Sequence, residues 1–362
     1  MPNNRVAGFR IATLMDESVS HLSPAMQLAL RLADTEWLNS FDFCIQYVIR
    51  PATRVRLRLD EQARVSQACF YNEDRWKWGF RKLHIFGPVR MTNEEMQELM
   101  RERDAALATV TCMGPEDLKC WSGPWHRWSS RMVNEDIIVD LPPSEDEYLL
   151  SLGHNARTQL PYYLRRVEKE WGEGFTVMTA TGADISLRMF QELVEFNRVR
   201  IEHKGATHLW NAQLIEQRWK LAQECGLFVG LQYNGKLVAG TMSYLHRNEA
   251  FFILIGHEKQ YDRLRLGKLA LWLTIRLLIR RGHSRYHLLW GASPYKLQLG
   301  GKARMLSELT VFRHSFVASV WYADQWISRI WSTASRLMTL PAAMARKIRT
   351  AVRESFAWVR VS

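Results

Sequence analysis

The stretch Leu227-Phe-Val-Gly-Leu-Gln-Tyr233, Asn234-Gly235, Lys236-Leu-Val-Ala-Gly-Thr-Met-Ser-Tyr244 reads as a β-hairpin. Two apolar runs rich in β-branched and aromatic residues flank an Asn-Gly pair, which supplies the positive φ angles that a type I′ turn requires. Residues 250–255 add a third strand, and 256–265 form a polar loop. Residues 267–281 then read as a long helix closed by Gly282, followed by a strand over 286–290.

Working outward, the strand-like Ile137-Ile138-Val139 runs into Asp140-Leu141-Pro142-Pro143-Ser144, where Pro-Pro breaks structure and Ser144 with Glu147 makes a capping box. This is the domain boundary. A helical stretch over 148–171 follows, with Pro161 expected to kink or restart it, and a second helix over 185–203 ends at Gly205. The C-terminal half therefore orders itself as helix, helix, three strands, helix, strand. Residues 10–140 mix helical patterns with short apolar runs, at 42–49 and at 82–86, the latter stopped by Gly87-Pro88. Trp76, Trp78, Trp121, Trp125 and Trp128 concentrate here and suit either a base or sugar platform or the core, burial favouring the core. The fold class is α/β (α+β), with an N-terminal half over 1–143, a C-terminal half over 144–315 and a tail over 316–362.

The chain has 362 residues, 47% of them hydrophobic and 24% charged, which suits two folded domains rather than a disordered tract. The longest apolar run, 269–279, is interrupted by Arg276 and falls short of a membrane span, which needs ~20 residues. No apolar segment of the secretory type follows Met1, so a cytoplasmic location is expected. Cys44, Cys69, Cys112, Cys120 and Cys225 form no C-x-x-C pair, and no metal site is expected. The formal charge of +12 favours polyanionic partners: a cofactor pyrophosphate, nucleic acid or anionic lipid.

Three constellations carry chemistry. Arg263, Arg265, Leu266, Gly267 and Lys268 sit at the start of the long helix, where free N–H groups and the positive dipole end suit a pyrophosphate. Gly291-Ala-Ser-Pro-Tyr295-Lys296-Leu-Gln-Leu-Gly300-Gly301 follows the last parallel-type strand, where α/β sheets bind ligands. There Tyr295 can protonate a departing thiolate and Lys296 can hold an oxyanion. His257, at the end of the third strand, is the candidate base for an attacking amine. Each also admits a bland reading as a solvated charge, a buried ring or a loop cap.

The run 138–153, with Asn155-Ala-Arg-Thr-Gln-Leu and Leu164-Arg-Arg-Val-Glu, resembles the bacterial acetyltransferases of cellulose and exopolysaccharide biosynthesis, the CelD/BcsL-like GNAT proteins. Lys236-Leu-Val-Ala-Gly, Pro294-Tyr-Lys-x-x-x-Gly and Arg304 are similar to the same family. The resemblance spans residues 10–313. It implies tandem GNAT-like halves, each a mixed sheet flanked by helices, the second holding acetyl-CoA or another acyl-CoA as co-substrate. It also implies kinship with FemAB-type aminoacyl transferases and an activity of acyl transfer to an amine, with a glycan precursor or small molecule as acceptor. Arg157, Arg198 and Arg304 are the candidate acceptor-binding residues. Two departures stand out: Leu264 and Leu269 replace the outer positions of the usual phosphate signature, and Ala292-Ser293 stand where an acidic residue commonly precedes the Tyr-Lys pair. A tRNA-dependent FemAB-type transferase, with nucleic acid as partner, and a non-catalytic GNAT scaffold in polysaccharide synthesis stay open.

In the tail, Phe316, Val320, Ala323, Ile327, Ile330, Ala334 and Leu337 share one helical face until Pro341. A second basic amphipathic helix carries Arg346, Lys347, Arg349 and Arg353. Docking on the protein, dimerisation, or peripheral contact with anionic lipid at the inner membrane would use this pattern.

Overall fold

A computed structural model of the chain describes residues 14–23, 25–27, 30, 53–60, 64–76, 79–89, 91–119, 121, 127–203, 205 and 210–338. Twelve strands form one mixed sheet, in the order β1-β2-β3-β4-β5-β12-β6-β11-β10-β9-β8-β7. That order repeats a six-strand unit twice. In the first, β2 (Arg54–Leu59), β3 (Val65–Arg75) and β4 (Arg81–Ile85) run antiparallel, with β1 (Leu14–Ser18) at the edge. Helix α1 (Asn93–Glu102) then crosses to β5 (Leu107–Met113), parallel to β4. Short α2 (Pro115–Lys119) leads to β6 (Trp128–Asp140).

The second unit opens with α3 (Glu145–Ser151) and α4 (His154–Trp171), then edge strand β7 (Phe175–Thr181), α5 (Leu187–His203) and α6 (Ala212–Cys225). The antiparallel meander β8 (Gly226–Tyr233), β9 (Lys236–His246) and β10 (Glu249–His257) follows. Helix α7 (Leu266–Arg280) crosses to β11 (Arg285–Trp290), parallel to β10. Short α8 (Pro294–Gln298), β12 (Lys302–Phe312) and α9 (Ser315–Met338) complete the chain. The last strand of each unit is exchanged: β12 pairs with β5 of the first unit and β6 with β11 of the second, and β6 and β12 pair with each other at the centre.

The hairpin forms as its sequence dictates, with Asn234 at φ 50° and Gly235 at φ 75°. Ser144 caps α3, its Oγ accepting from the Glu147 N–H at 3.2 Å. The break between α3 and α4 falls at Leu152–Gly153, and Pro161 stays inside α4. The sequence reading missed β7 and α6. Alternating residues of the meander bury into opposite cores: Leu227, Val229 and Leu231 against α4 and α7, Phe228 and Met242 against α5 and α6. Trp121 lies in the first unit's core with Trp128 against it, and Trp76 packs near Phe312; Trp78 and Trp125 lie outside the described residues.

Helix α9 docks differently from its expected face. Val317 and Ala318 bury against Phe312, and Trp321 joins them, so the stripe Phe316, Ile327, Ile330 points outward with Trp326. Small side chains let the helix approach the sheet, and the bulkier stripe stays outside. The second tail helix lies outside the described residues. Among the described residues, no helix is long and apolar enough to cross a membrane.

Candidate active site

Strands β10 and β11 pair only over Glu249–Arg285, Ala250–Tyr286 and Phe251–His287, then part. Leu289, at φ 55°, turns the end of β11 away, a conformation a branched side chain adopts only when its surroundings hold it there. Lys296 does the holding: its Nζ donates to the carbonyls of Leu289 at 3.2 Å and Trp290 at 2.6 Å. Burial pushes the Lys296 pKa down to about 8, with Asp136 and Glu135 pulling the other way. The sequence reading gave Lys296 an oxyanion, and the structure ties its ammonium to backbone carbonyls. On the open side of β10, Asn197 from α5 donates to the Ile255 carbonyl at 2.7 Å.

A cavity of about 700 Å³ opens at this parting. Its walls are Gln159 and Tyr163 of α4, Val199, Arg200 and His203 of α5, Ile255 and His257 of β10, the start of α7, and Pro294, Tyr295 and Gln298 of α8. This size is in the range that holds a small-molecule ligand.

The start of α7 supplies one end. Arg265 takes the left-handed conformation, φ 55° and ψ 35°, as the N-cap. The first helical bond runs from the Leu269 N–H to the Arg265 carbonyl, so the N–H groups of Leu266, Gly267 and Lys268 have no acceptor within the helix. Leu266 contributes only that N–H, because its side chain is fully buried. A Cβ on Gly267 would sit 3.1 Å from His257 Nδ1, so glycine keeps the imidazole beside the helix start. Lys268 Nζ donates to Gln298 Oε1 at 2.7 Å, and burial, with Arg265 nearby, lowers its pKa.

His257 Nε2 lies 2.6 Å from Asp262 Oδ1. With Nε2–H donating to that carboxylate, Nδ1 is left as the basic lone pair. Tyr295 lines the same cavity; burial raises its pKa, Arg200 opposing, so the phenol keeps its proton at neutral pH. His257, Arg265, Gly267, Lys268 and Tyr295 are thus brought together. Four others are not. Arg263 is held by Glu170, Arg198 by Glu195 and Glu202, and Arg304 by Glu116 and Asp117, while Arg157 reaches the Leu152 carbonyl at 3.4 Å.

A second polar cluster lies where the two units join. His287 is stacked on Phe251 at 4.4 Å, with Nδ1 at 2.6 Å from Asp136 and Nε2 at 3.4 Å from Glu249. The Glu249 contact is a charge contact, since His287 Nε2 has no well-aligned hydrogen-bond partner. Burial alone would lower the His287 pKa, but the two carboxylates outweigh it and raise it to about 9. A raised pKa stabilises the fold fully below the unfolded value near ~6.5 and loses that contribution as pH rises through the folded one. Urea unfolding is expected to show stability falling by up to ~3 kcal/mol between neutral pH and pH ~10, the slope flattening in His287→Gln. A slope that the variant leaves unchanged would show that His287 carries no such charge.

Residues 154–297 match the family described as an acetyltransferase (GNAT) domain. No curated protein sequence matches the chain. Among solved structures, the crystal structure of FemX is similar at a TM-score of 0.60 and 9% identity, covering 83% of this chain and 97% of that one. A conserved protein of unknown function from Bacteroides thetaiotaomicron is similar at a TM-score of 0.54 and 12% identity, covering 83% of this chain and all of that one. At such identities the likeness is one of fold. The GNAT match begins at α4 and ends in α8, so it takes in every described residue that lines the cavity except Gln298.

Sequence reasoning missed Arg200, Tyr163 and Gln159 of the cavity wall, because nothing local says that α4 and α5 meet at one cavity. A signal for Arg200 was present. Arg198 has Glu195 and Glu202 at i−3 and i+4, which claim it along the helix surface, whereas Arg200 has Phe196 and Asn197 behind it and His203 ahead. Among the described residues no group of three or more His, Cys, Asp or Glu is placed to hold a metal.

Proposed function

We propose that the chain is an N-acyltransferase that moves an acyl group from a coenzyme A thioester to an amine. The observation that carries this reading is the cavity at the β10–β11 parting, flanked on one side by the free N–H groups, Arg265 and Lys268 of α7. A thioester supplies an activated carbonyl and a good leaving group; its pyrophosphate would rest on Arg265, Lys268 and the N–H groups of Leu266, Gly267 and Lys268. As the C–N bond forms and the C–S bond breaks, His257 Nδ1 takes the amine proton and Asp262 steadies the imidazolium. Tyr295 gives its proton to the departing sulfur. Positioning and charge stabilisation of this kind are worth on the order of 10 kcal/mol. The resemblance to the cellulose and exopolysaccharide acetyltransferases makes amine-bearing glycan precursors the first acceptors to screen.

Calorimetric titration of acetyl-CoA and longer acyl-CoAs tests this. Micromolar binding is expected, weakened about 100-fold in Arg265→Ala/Lys268→Ala through the loss of two charge-assisted contacts. No binding of any acyl-CoA would overturn the coenzyme A donor, and salt-dependent tRNA binding in its place would move the donor to an aminoacyl-tRNA.

A further inference from the structure

Several arginines of the second unit are held by carboxylates: Arg198 by Glu195 and Glu202, Arg263 by Glu170, Arg276 and Arg280 by Glu145. Inside the cavity the balance is different. Arg200, His203, Lys259 and Arg265 line it, and none has an ion pair or side-chain hydrogen bond among the described residues. The one carboxylate among the cavity's described residues, Asp262, is committed to His257.

Two separate basic ends result. Helix α7 packs on one face of the sheet and α5 on the other, because neighbouring residues of β8 bury against each in turn. Arg265 and Lys268 belong to the α7 end, Arg200 and His203 to the last turn of α5. Basic residues at a helix C-terminus are favoured by the dipole, which accounts for exposed His203. It does not account for Arg200, whose Nε is buried with no hydrogen-bond acceptor among the described residues. A buried donor without an acceptor is costly and uncommon in a folded protein. Arg200 lines the same cavity as Tyr295, and its charge acts on the phenol.

We infer that Arg200 anchors an anionic group, carboxylate or phosphate, on the acceptor amine. This rests on the acyl-transfer reading and narrows its acceptor: a neutral amine would leave the guanidinium unpaired in the cavity, and an amine bearing a carboxylate or phosphate would satisfy it by a charge-assisted, bidentate contact. Discrimination by a polar contact of this kind is large, because the analogue lacking the group leaves the site's own donor unpaired.

The test uses glucosamine, glucosamine 6-phosphate and muramic acid, one amine scaffold with no anion, a phosphate or a carboxylate. Each is titrated calorimetrically into the full-length protein, its Arg200→Ala variant and its Arg200→Lys variant, alongside acetyl-CoA. At least one anionic amine is expected to bind about tenfold or more tighter than glucosamine, the preference disappearing in Arg200→Ala and partly returning in Arg200→Lys. Which of the two gains reports phosphate or carboxylate. The affinity for acetyl-CoA is expected to stay within about twofold in both variants. Equal binding of all three amines, no binding of either anionic amine at millimolar concentration, or a preference that survives Arg200→Ala overturns the assignment. So does a loss confined to acetyl-CoA, which would give Arg200 to the donor. Acetyl-CoA that fails to bind the unaltered protein, beside an Arg200-dependent anion preference, strikes only the donor reading.

Discussion

Asp136→Ala is expected to lower stability by about 3 kcal/mol at neutral pH, read from urea unfolding. Asp136 and His287 are only 6% and 5% exposed, and the imidazolium between Asp136 and Glu249 holds its proton to about pH 9. Removing the nearer carboxylate leaves a buried cation with a single partner, Glu249, at 3.4 Å. The penalty is the uncompensated charge rather than the lost bond, since breaking a buried pair costs more than the pair contributes. The loss should therefore shrink near pH 10, where His287 is neutral in both proteins. Asp136→Asn, which keeps an acceptor for Nδ1–H, is expected to cost less than Asp136→Ala. A loss below about 1 kcal/mol in Asp136→Ala would show that the cluster is not held as a charged unit.

The second large effect is expected at Gly256. A Cβ there would stand 2.6 Å from Phe196 Cβ and 2.9 Å from both the Asn197 nitrogen and the Leu193 oxygen, so β10 lies directly against the α5 backbone. No rotamer relieves a backbone contact. Gly256→Val must push α5 outward, stretch the 2.7 Å bond from Asn197 to the Ile255 carbonyl, and shift Arg200, about one turn beyond Asn197. Overpacking of this kind typically costs 1–3 kcal/mol, and contact with backbone on two sides puts Gly256→Val at about 3 kcal/mol. Gly256→Ala is the milder companion if the valine variant does not fold. Both should speed amide exchange in α5. Wild-type stability in Gly256→Ala would mean that β10 and α5 are not in contact at this position.

Legibility in the sequence followed the reach of each interaction. The hairpin, the third strand, α7 and β11 were readable because each is fixed within about twenty residues by period, turn and cap. Edge strand β7 escaped because Thr176 and Thr179 break its apolar pattern and Val177 faces solvent, and α6 because only Leu221 and Ala222 of its residues are buried. The exchange of β6 and β12 was not legible at all, since it pairs segments that no local pattern connects. The site divided in the same way. His257, Gly267 and Tyr295 mark themselves by their place after a strand or before a helix. Arg200 becomes informative only when α4, α5 and α7 converge, and Lys296 changed role because the bend at Leu289 cannot be read from residue types.

The exchanged strands bear on how the chain is made. A ribosome delivers β5 long before its partner: about 190 residues separate the end of β5 from the start of β12, tens of seconds of synthesis at ~5–20 residues per second. Throughout that interval the first unit must wait with an open strand edge beside finished hydrophobic layers, a template for pairing with neighbouring nascent chains. Charged side chains on β6, and α1 with its reciprocal Thr92–Glu95 cap, are features of the first unit that oppose such pairing. A stop codon anywhere before residue 302 would therefore leave not a smaller enzyme but a first unit with no closing strand, a natural client for chaperones and proteases.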